Sequence, residues 1–401
     1  MRTYHTPLDL VRSRHLENPV VCKRPDLLSR ASRWFQENFP GDVLYAVKAN
    51  PSDWVIDGLY AAGTDFYEVA SLSEIELIAQ RLPQARMAYL HPVKSRLSIR
   101  KAYFDYGVRI FAIDCEAELA KILQETGNAR DLTLMVRLAV SSEHALFSLA
   151  GKFGIAADAA PQLVKLARAH ARELGVSFHI GSQCMEPVAY SGAMQAASRL
   201  IAAAGVTVDI VDVGGGFPCI YPGMTPPPMQ DFVDAIETAF EPMLVHDNAK
   251  LWCEPGRALV AEAESVIARI DLRKDNTLYI NEGSYGALFD AVHASWRFPI
   301  RALRQNPADL TGLAEFSLFG PTCDSIDAMP GPYALPADIA EGDYVEIGML
   351  GAYGTSLATG FNGFGQYDYV TVEDQPFASM FDTSTSAPAA SGAFIDEEFA
   401  R

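Results

Sequence analysis

The sequence predicts an α/β fold, a (β/α)8 TIM barrel followed by a mostly antiparallel β-domain. Two observations carry this. From about residue 40 to 258, short apolar runs alternate with amphipathic stretches, and such crossovers return the chain for parallel pairing. After Val260 the alternation stops, and strand-like runs follow one another between Gly and Pro. The chain's 401 residues exceed the about 250 of a typical barrel, which suggests a second domain.

Residues 1–25 precede the barrel pattern and are expected to join the β-domain. The barrel, placed at 26–258, is expected to use Val43–Val47, Phe66–Val69, Met87–Leu90, Val108–Ile113, Leu132–Leu138, Val176–Ile180, Val206–Val213 and Leu251–Cys253 as strands. Helical patterns lie between them, such as Ala159–Leu174 with Leu163, Val164, Leu166 and Ala167 on one face. Eight such units suit a closed barrel; an open doubly wound sheet is the competing architecture. The β-domain, 1–25 plus 259–382, is expected to hold strands at Ala263–Ile270, Thr277–Ile280, Phe316–Phe319, Tyr344–Ile347 and Tyr367–Val372. A tail at 383–401, opening on Ser, Thr, Ala and Pro, is expected to be loosely ordered.

Apolar residues make up 49% and charged residues 20% of the chain, which excludes wholesale disorder. The 50 acidic against 32 basic side chains leave a formal charge of -18, which repels phosphate backbones and anionic bilayers. Nucleic-acid and membrane partners are therefore not expected. No apolar run approaches the ~20 residues of a membrane helix, and Met1–His5 lacks a signal-peptide core. A cytoplasmic protein is expected. The six cysteines form no CxxC pair, so neither a metal site nor a disulfide framework is indicated.

In a barrel, chemistry belongs at the carboxyl ends of the strands. Lys48 follows Tyr45-Ala46-Val47 there, where burial is expected to lower its pKa and favour Schiff-base chemistry; the plain alternative is a lysine reaching to the rim. His179 ends the sixth run and could equally be a satisfied core histidine. Gly214-Gly215-Gly216 after the seventh exposes backbone N–H groups suited to phosphate, or makes an ordinary turn. Glu254-Pro255-Gly256-Arg257 ends the eighth, and its acid and base could be no more than a surface pair. Their shared location favours one site. Together they describe a pyridoxal 5'-phosphate site, with Lys48 bonding the cofactor, the glycines and Arg257 holding phosphate, and Glu254 facing the pyridinium nitrogen. A carboxylate there keeps the ring protonated and electron-accepting, which points to decarboxylation rather than racemisation.

Seven motifs in order, Tyr45–Asn50, His179–Ser182, Asp212–Pro218, Glu254–Arg257, Gly320–Asp324, Gly351–Tyr353 and Phe361–Phe364, resemble those of the fold-type III pyridoxal-phosphate-dependent basic amino acid decarboxylases. The ornithine decarboxylase branch is the most similar, and the family's barrel is alanine racemase-like. The resemblance implies that Lys48 bonds the cofactor and that His179 stacks on its ring. It implies phosphate contacts from Ser182, Gly216, Arg257 and Tyr353, and Glu254 at the ring nitrogen. Gly214, Gly215, Pro255 and Gly256 share those motifs. Arg137 and Glu68 match a charged pair near the cofactor.

Cys323 matches the residue that protonates the carbanion after carbon dioxide leaves. A thiol with an ordinary pKa of about 8.5 still carries that proton at neutral pH. Asp324 matches a carboxylate facing the substrate's distal amine. The Cys–Asp pair comes from the second subunit in the family, which implies a homodimer with active sites at the interface. Lys152 and Asp327 match residues that can bridge it. Two departures stand out. Glu68 replaces the usual Asp, and Tyr285–His293 is shorter than the family's stretch, with Phe289-Asp290 nearest its substrate-binding Tyr–Asp pair. The implied reaction is decarboxylation of a small cationic amino acid, L-ornithine to putrescine in polyamine biosynthesis. Lysine, 2,4-diaminobutyrate, arginine or a carboxylated polyamine are alternative substrates. A racemase and a catalytically silent regulatory homologue are alternative functions.

Overall fold

The computed structural model describes residues 2–140, 145–147, 151–304 and 312–381. It divides into two compact units. Of the described residues, one takes in Arg24–Ala263 and Gly351–Ser356; the other takes in those within 2–23, 264–350 and 357–381. The tail expected over 383–401 lies outside the described residues. Among the described residues no helix is long and apolar enough to cross a membrane.

The first unit is a parallel barrel. Its strands are Asp42–Val43, Tyr45–Ala46, Phe66–Val69, Arg86–Tyr89, Ile110–Ile113, Thr133–Arg137, Glu173–Ser177, Ile210–Asp212 and Lys250–Cys253. These nine segments are the eight expected runs, with the first divided at Leu44. The division closes the ring, because Val43 pairs with Cys253 on one side and Tyr45 with Tyr67 on the other. The Leu44 N–H bridges the break by donating to Cys253 O at 2.8 Å. The open-sheet alternative is thereby excluded. The helix expected over Ala159–Leu174 spans only Ala160–Arg168, since Glu173–Ser177 is already the next strand.

Leu44, Phe66, Ala88, Leu90, Ala112, Met135, Ile210 and Trp252 fill the barrel interior. Side chains alternate along a strand, so residues two positions further on face the same interior. Glu68, Asp114, Arg137, Asp212 and Glu254 stand at those positions. A charged layer therefore lies above an apolar one, toward the carboxyl end.

In the second unit, the strand Glu264–Lys274 pairs with Val20–Lys23, Thr277–Ile280 and Tyr344–Ile347, all antiparallel. Ile300–Leu303, Leu313–Phe319 and Ala328–Pro336 extend the sheet, and Asp368–Val372 lies parallel to Val20–Lys23. Val20, Cys22, Ile267, Leu303, Tyr344, Val370 and Val372 form its core with Leu10 and Val11 of the helix Pro7–Ser13. That helix begins with a capping box in which Thr6 Oγ1 accepts from the Asp9 N–H and Asp9 Oδ2 from the Thr6 N–H.

Candidate active site

Lys48 leaves the barrel wall on a single 3-10 turn, Val47–Ala49. The turn is tied down from the distant segment Gly351–Ser356: Tyr353 N donates to Ala49 O at 2.9 Å, and Asn50 Nδ2 donates to Gly351 O at 2.9 Å. Lys48 Nζ lies 2.6 Å from Glu68 Oε2. The lysine side chain keeps 40% exposure at the open strand ends, while Glu68 keeps 4%. Burial alone would lower the ammonium, but Glu68 and then Glu254 outweigh it and hold Lys48 above the ordinary lysine range. This corrects the expectation of a lowered lysine, which took account of burial without the carboxylate on the next strand.

Asp212 and Glu254 are buried in the same layer. Burial, then Asp212 and Glu68, push the Glu254 carboxyl well above its ordinary value. Glu254 Oε1 is buried with no hydrogen-bond partner among the described residues. Burial, then Arg137 and Lys48, hold the half-buried His179 imidazole well below its ordinary value, so it is neutral near pH 7. Its Nδ1 accepts from the Gly181 N–H at 3.0 Å, which leaves the proton on Nε2.

The glycine run packs against both groups. A Cβ on Gly215 would sit 2.8 Å from Glu254 O and 3.0 Å from His179 Nε2, and Gly216 has φ +109°, where side chains are strained. Gly214 N donates to Asp212 Oδ1. Pro255 O accepts from the Ala46 N–H, and Gly256 packs within reach of Ala46 and Ala49. The Glu254–Arg257 turn is thus fitted to the turn that carries Lys48. Arg257 is 6% exposed, donates from Nη1 to Tyr221 Oη at 3.1 Å, and lies 4.8 Å from the Tyr353 ring centroid. Tyr221 was not foreseen, because nothing local marks a tyrosine as an arginine's partner. Ser182 opens the short strand Ser182–Cys184, antiparallel to Ala145–Phe147.

The second unit gathers the other expected residues. Cys323 is exposed, and its N–H donates to Asn362 Oδ1 at 3.1 Å. Asp324 Oδ2 accepts from Tyr285 Oη at 2.6 Å, and this bond holds Asp324 below the ordinary carboxylate range. The Tyr285 ring lies against Phe361 at 4.8 Å. Phe289 stacks on His293 at 4.0 Å, and Asp290 follows it in the short helix Phe289–His293. Asp327, matched to a dimer bridge, is buried and already accepts from Ser284 N, Ser284 Oγ, Thr322 N and Thr322 Oγ1 of its own chain. Lys152 Nζ lies 5.1 Å from the Phe153 ring centroid.

The family described as "Pyridoxal-dependent decarboxylase, pyridoxal binding domain" matches residues 25–261, and its "C-terminal sheet domain" matches 258–351. The chain belongs to the pyridoxal-dependent decarboxylases. This decarboxylase is 30% identical over 375 residues to a lysine/ornithine decarboxylase of Selenomonas ruminantium, covering 91% of this chain and 92% of that one. It is 32% identical over 367 residues to an ornithine decarboxylase of Caenorhabditis elegans, covering 84% and 83%. Its structure is similar to that of the Paramecium bursaria Chlorella virus arginine decarboxylase bound to agmatine, at a TM-score of 0.80 and 25% identity, covering 91% and 98%.

The cofactor of a pyridoxal-dependent decarboxylase is pyridoxal phosphate, and the residues present fit it. In the interior layer Glu68 and Glu254 act on Lys48, and Arg137 acts on Asp212. Carboxyls outnumber cations in the layer, a setting suited to a protonated ring nitrogen. The spot beside Gly215, between Glu254 and His179, admits no side chain, and Arg257 is a buried cation that would suit a phosphate.

Proposed function

We propose that this decarboxylase removes the α-carboxylate of an L-diamino acid, ornithine foremost, giving putrescine. The observation that carries the reading is Glu254, a buried acid in the same layer as the Lys48–Glu68 pair. An acid there favours a protonated ring and hence decarboxylation; a base would favour racemisation. Relatives named for ornithine support the substrate.

Lys48 would be the amine that holds the cofactor covalently, and Glu254 would hold its ring nitrogen. Gly214, Gly215, Gly216, Ser182, Arg257 and Tyr353 would hold its phosphate. His179, neutral and fixed by the Gly181 amide, would cover a ring face without adding charge. Bound pyridoxal phosphate supplies the sink for the electron pair left on Cα when carbon dioxide departs. Cys323 Sγ then delivers a proton to Cα, and Asp324 and Asp290, beside Phe289, bind the distal ammonium. Cys323 and Asp324 serve the barrel of the partner subunit, so the working form is a homodimer. Asp324, held ionised by Tyr285, is suited to a cationic tail.

The test is a panel of L-ornithine, L-lysine, L-arginine, L-2,4-diaminobutyrate and a carboxylated polyamine, with carbon dioxide release measured on cofactor-loaded protein. Ornithine should have the highest kcat/KM. Negligible ornithine turnover defeats the substrate assignment, and loss of optical rotation without gas defeats decarboxylation.

A further inference from the structure

Asp212 and Glu254 stand on neighbouring barrel strands. Asp212 pairs in register with Trp252, so Glu254 lies two residues above that pair on the same interior face. Asp212 is 0% exposed and Glu254 3%. Asp212 Oδ1 is satisfied by the Gly214 N–H at 2.9 Å. Its Oδ2 and Glu254 Oε1 are both buried without a hydrogen-bond partner among the described residues.

Two ionised carboxylates offer acceptors only, so neither can satisfy the other. A single proton held between them satisfies both and removes the repulsion of two buried like charges. The surrounding charges agree. Glu68 is engaged by Lys48, Arg137 acts on Asp212, and Lys48 on Glu254, which leaves the layer with fewer cations than carboxyls. Burial pushes both carboxyls upward, consistent with one of them retaining a proton.

We propose that Asp212 and Glu254 together carry one proton, and that the cofactor's ring nitrogen, arriving as a cation, displaces it. Asp212 is then a positioning residue. It acts through Glu254 and makes the ring-nitrogen subsite exchange a proton for a cation. One carboxyl O–H bond breaks, its proton passes to solvent, and the ring N–H donates to the carboxylate that remains; no electrons are transferred. The inference rests on the proposed placement of the ring nitrogen at Glu254.

The test uses 4'-deoxypyridoxine 5'-phosphate, which has the ring nitrogen and phosphate but no aldehyde, so Lys48 chemistry adds no protons. Its affinity for the cofactor-free protein is measured by calorimetry between about pH 7 and about pH 8.5, above the titration of the phosphate. Calorimetry in buffers of different ionisation enthalpy counts the protons released. The parent should release about one proton more than Asp212→Asn, and its affinity should gain up to roughly tenfold per pH unit relative to the variant. Glu254→Gln should show the same loss of proton release and serves if Asp212→Asn does not fold. Equal proton release in parent and variants overturns the role of Asp212 while leaving the function standing. If the parent binds neither the analogue nor pyridoxal phosphate, the functional reading itself fails.

Discussion

Glu68 Oε2 lies 2.6 Å from Lys48 Nζ, and the contact keeps the lysine protonated against the pull of its burial. Glu68→Gln removes the largest of the charges that raise it. The titration of Lys48 should then fall by about one pH unit or more. Competitive acylation of the cofactor-free protein across pH, read by mass spectrometry at Lys48, measures it. An unchanged profile would mean that Glu68 does not hold the charge.

Gly215 is hemmed in by Glu254 O and His179 Nε2 at 2.8 and 3.0 Å from a notional Cβ. Gly215→Ala should fold, since the change is one methyl at a strand end, but it crowds Glu254 and His179, the residues proposed to hold and cover the ring. Cofactor affinity should drop by about tenfold or more, the cost of a strained small-to-large change of 1–3 kcal/mol. Absorbance titration with pyridoxal phosphate decides it, and parent-like affinity would move the phosphate elsewhere.

Arg257 combines burial, the hydrogen bond to Tyr221 and the face of Tyr353. Arg257→Lys keeps the charge but loses the planar fork and the stacking, so it is not a conservative change. We expect a loss of cofactor affinity of about tenfold to a hundredfold. Tyr221→Phe, which removes one hydrogen bond, should cost about fivefold. The order of the two losses is the measurement; a larger effect from Tyr221→Phe would contradict a phosphate-binding Arg257.

Much of this was legible in the sequence because barrel strands are continuous apolar runs, and each run announces its own carboxyl end. The motifs at Lys48, Glu254 and Gly214–Gly216 could be placed on that basis alone. What depends on neighbouring strands could not. Lys48 and Glu68 are 20 residues apart in sequence, so the sign of the lysine's shift was misread. Asp212 stood inside a recognised motif, yet its facing of Glu254 needs the register of two strands. The strand Ala328–Pro336 escaped notice because its prolines argue against a ladder; it lies at the end of its sheet, where prolines are tolerated.

Glu282 is buried in the second unit, where Gly283 N and Ala287 N donate to its Oε1. Burial pushes its carboxyl from the ordinary 4.5 up to about 7. The folded form therefore keeps a proton that the unfolded chain has lost, and stability from this group is full below about pH 4.5 and lost as pH rises through about 7. Glu282→Gln cannot ionise. Its unfolding free energy should gain on the parent's across that window, by an amount on the order of 3 kcal/mol at most. Denaturant unfolding at several pH values checks this, and a parallel pH dependence in the two proteins would refute it.

Lys48 and Cys323 belong to different compact units, and the proposed function gives them different jobs at one reaction centre. Lys48→Ala should lose both the cofactor's visible absorbance and turnover. Cys323→Ala should keep the absorbance but return the proton to Cα slowly or wrongly. If each site takes its barrel from one subunit and its cysteine from the other, mixing the two variants repairs half the sites in every mixed dimer. Random exchange makes half the dimers mixed, so activity should return to about one quarter of the parent's. Size-exclusion chromatography confirms that dimers form and exchange. Mixed dimers without restored activity would place Cys323 and Lys48 in the same subunit's site, and a protein that stays monomeric while turning over substrate would remove the shared site altogether.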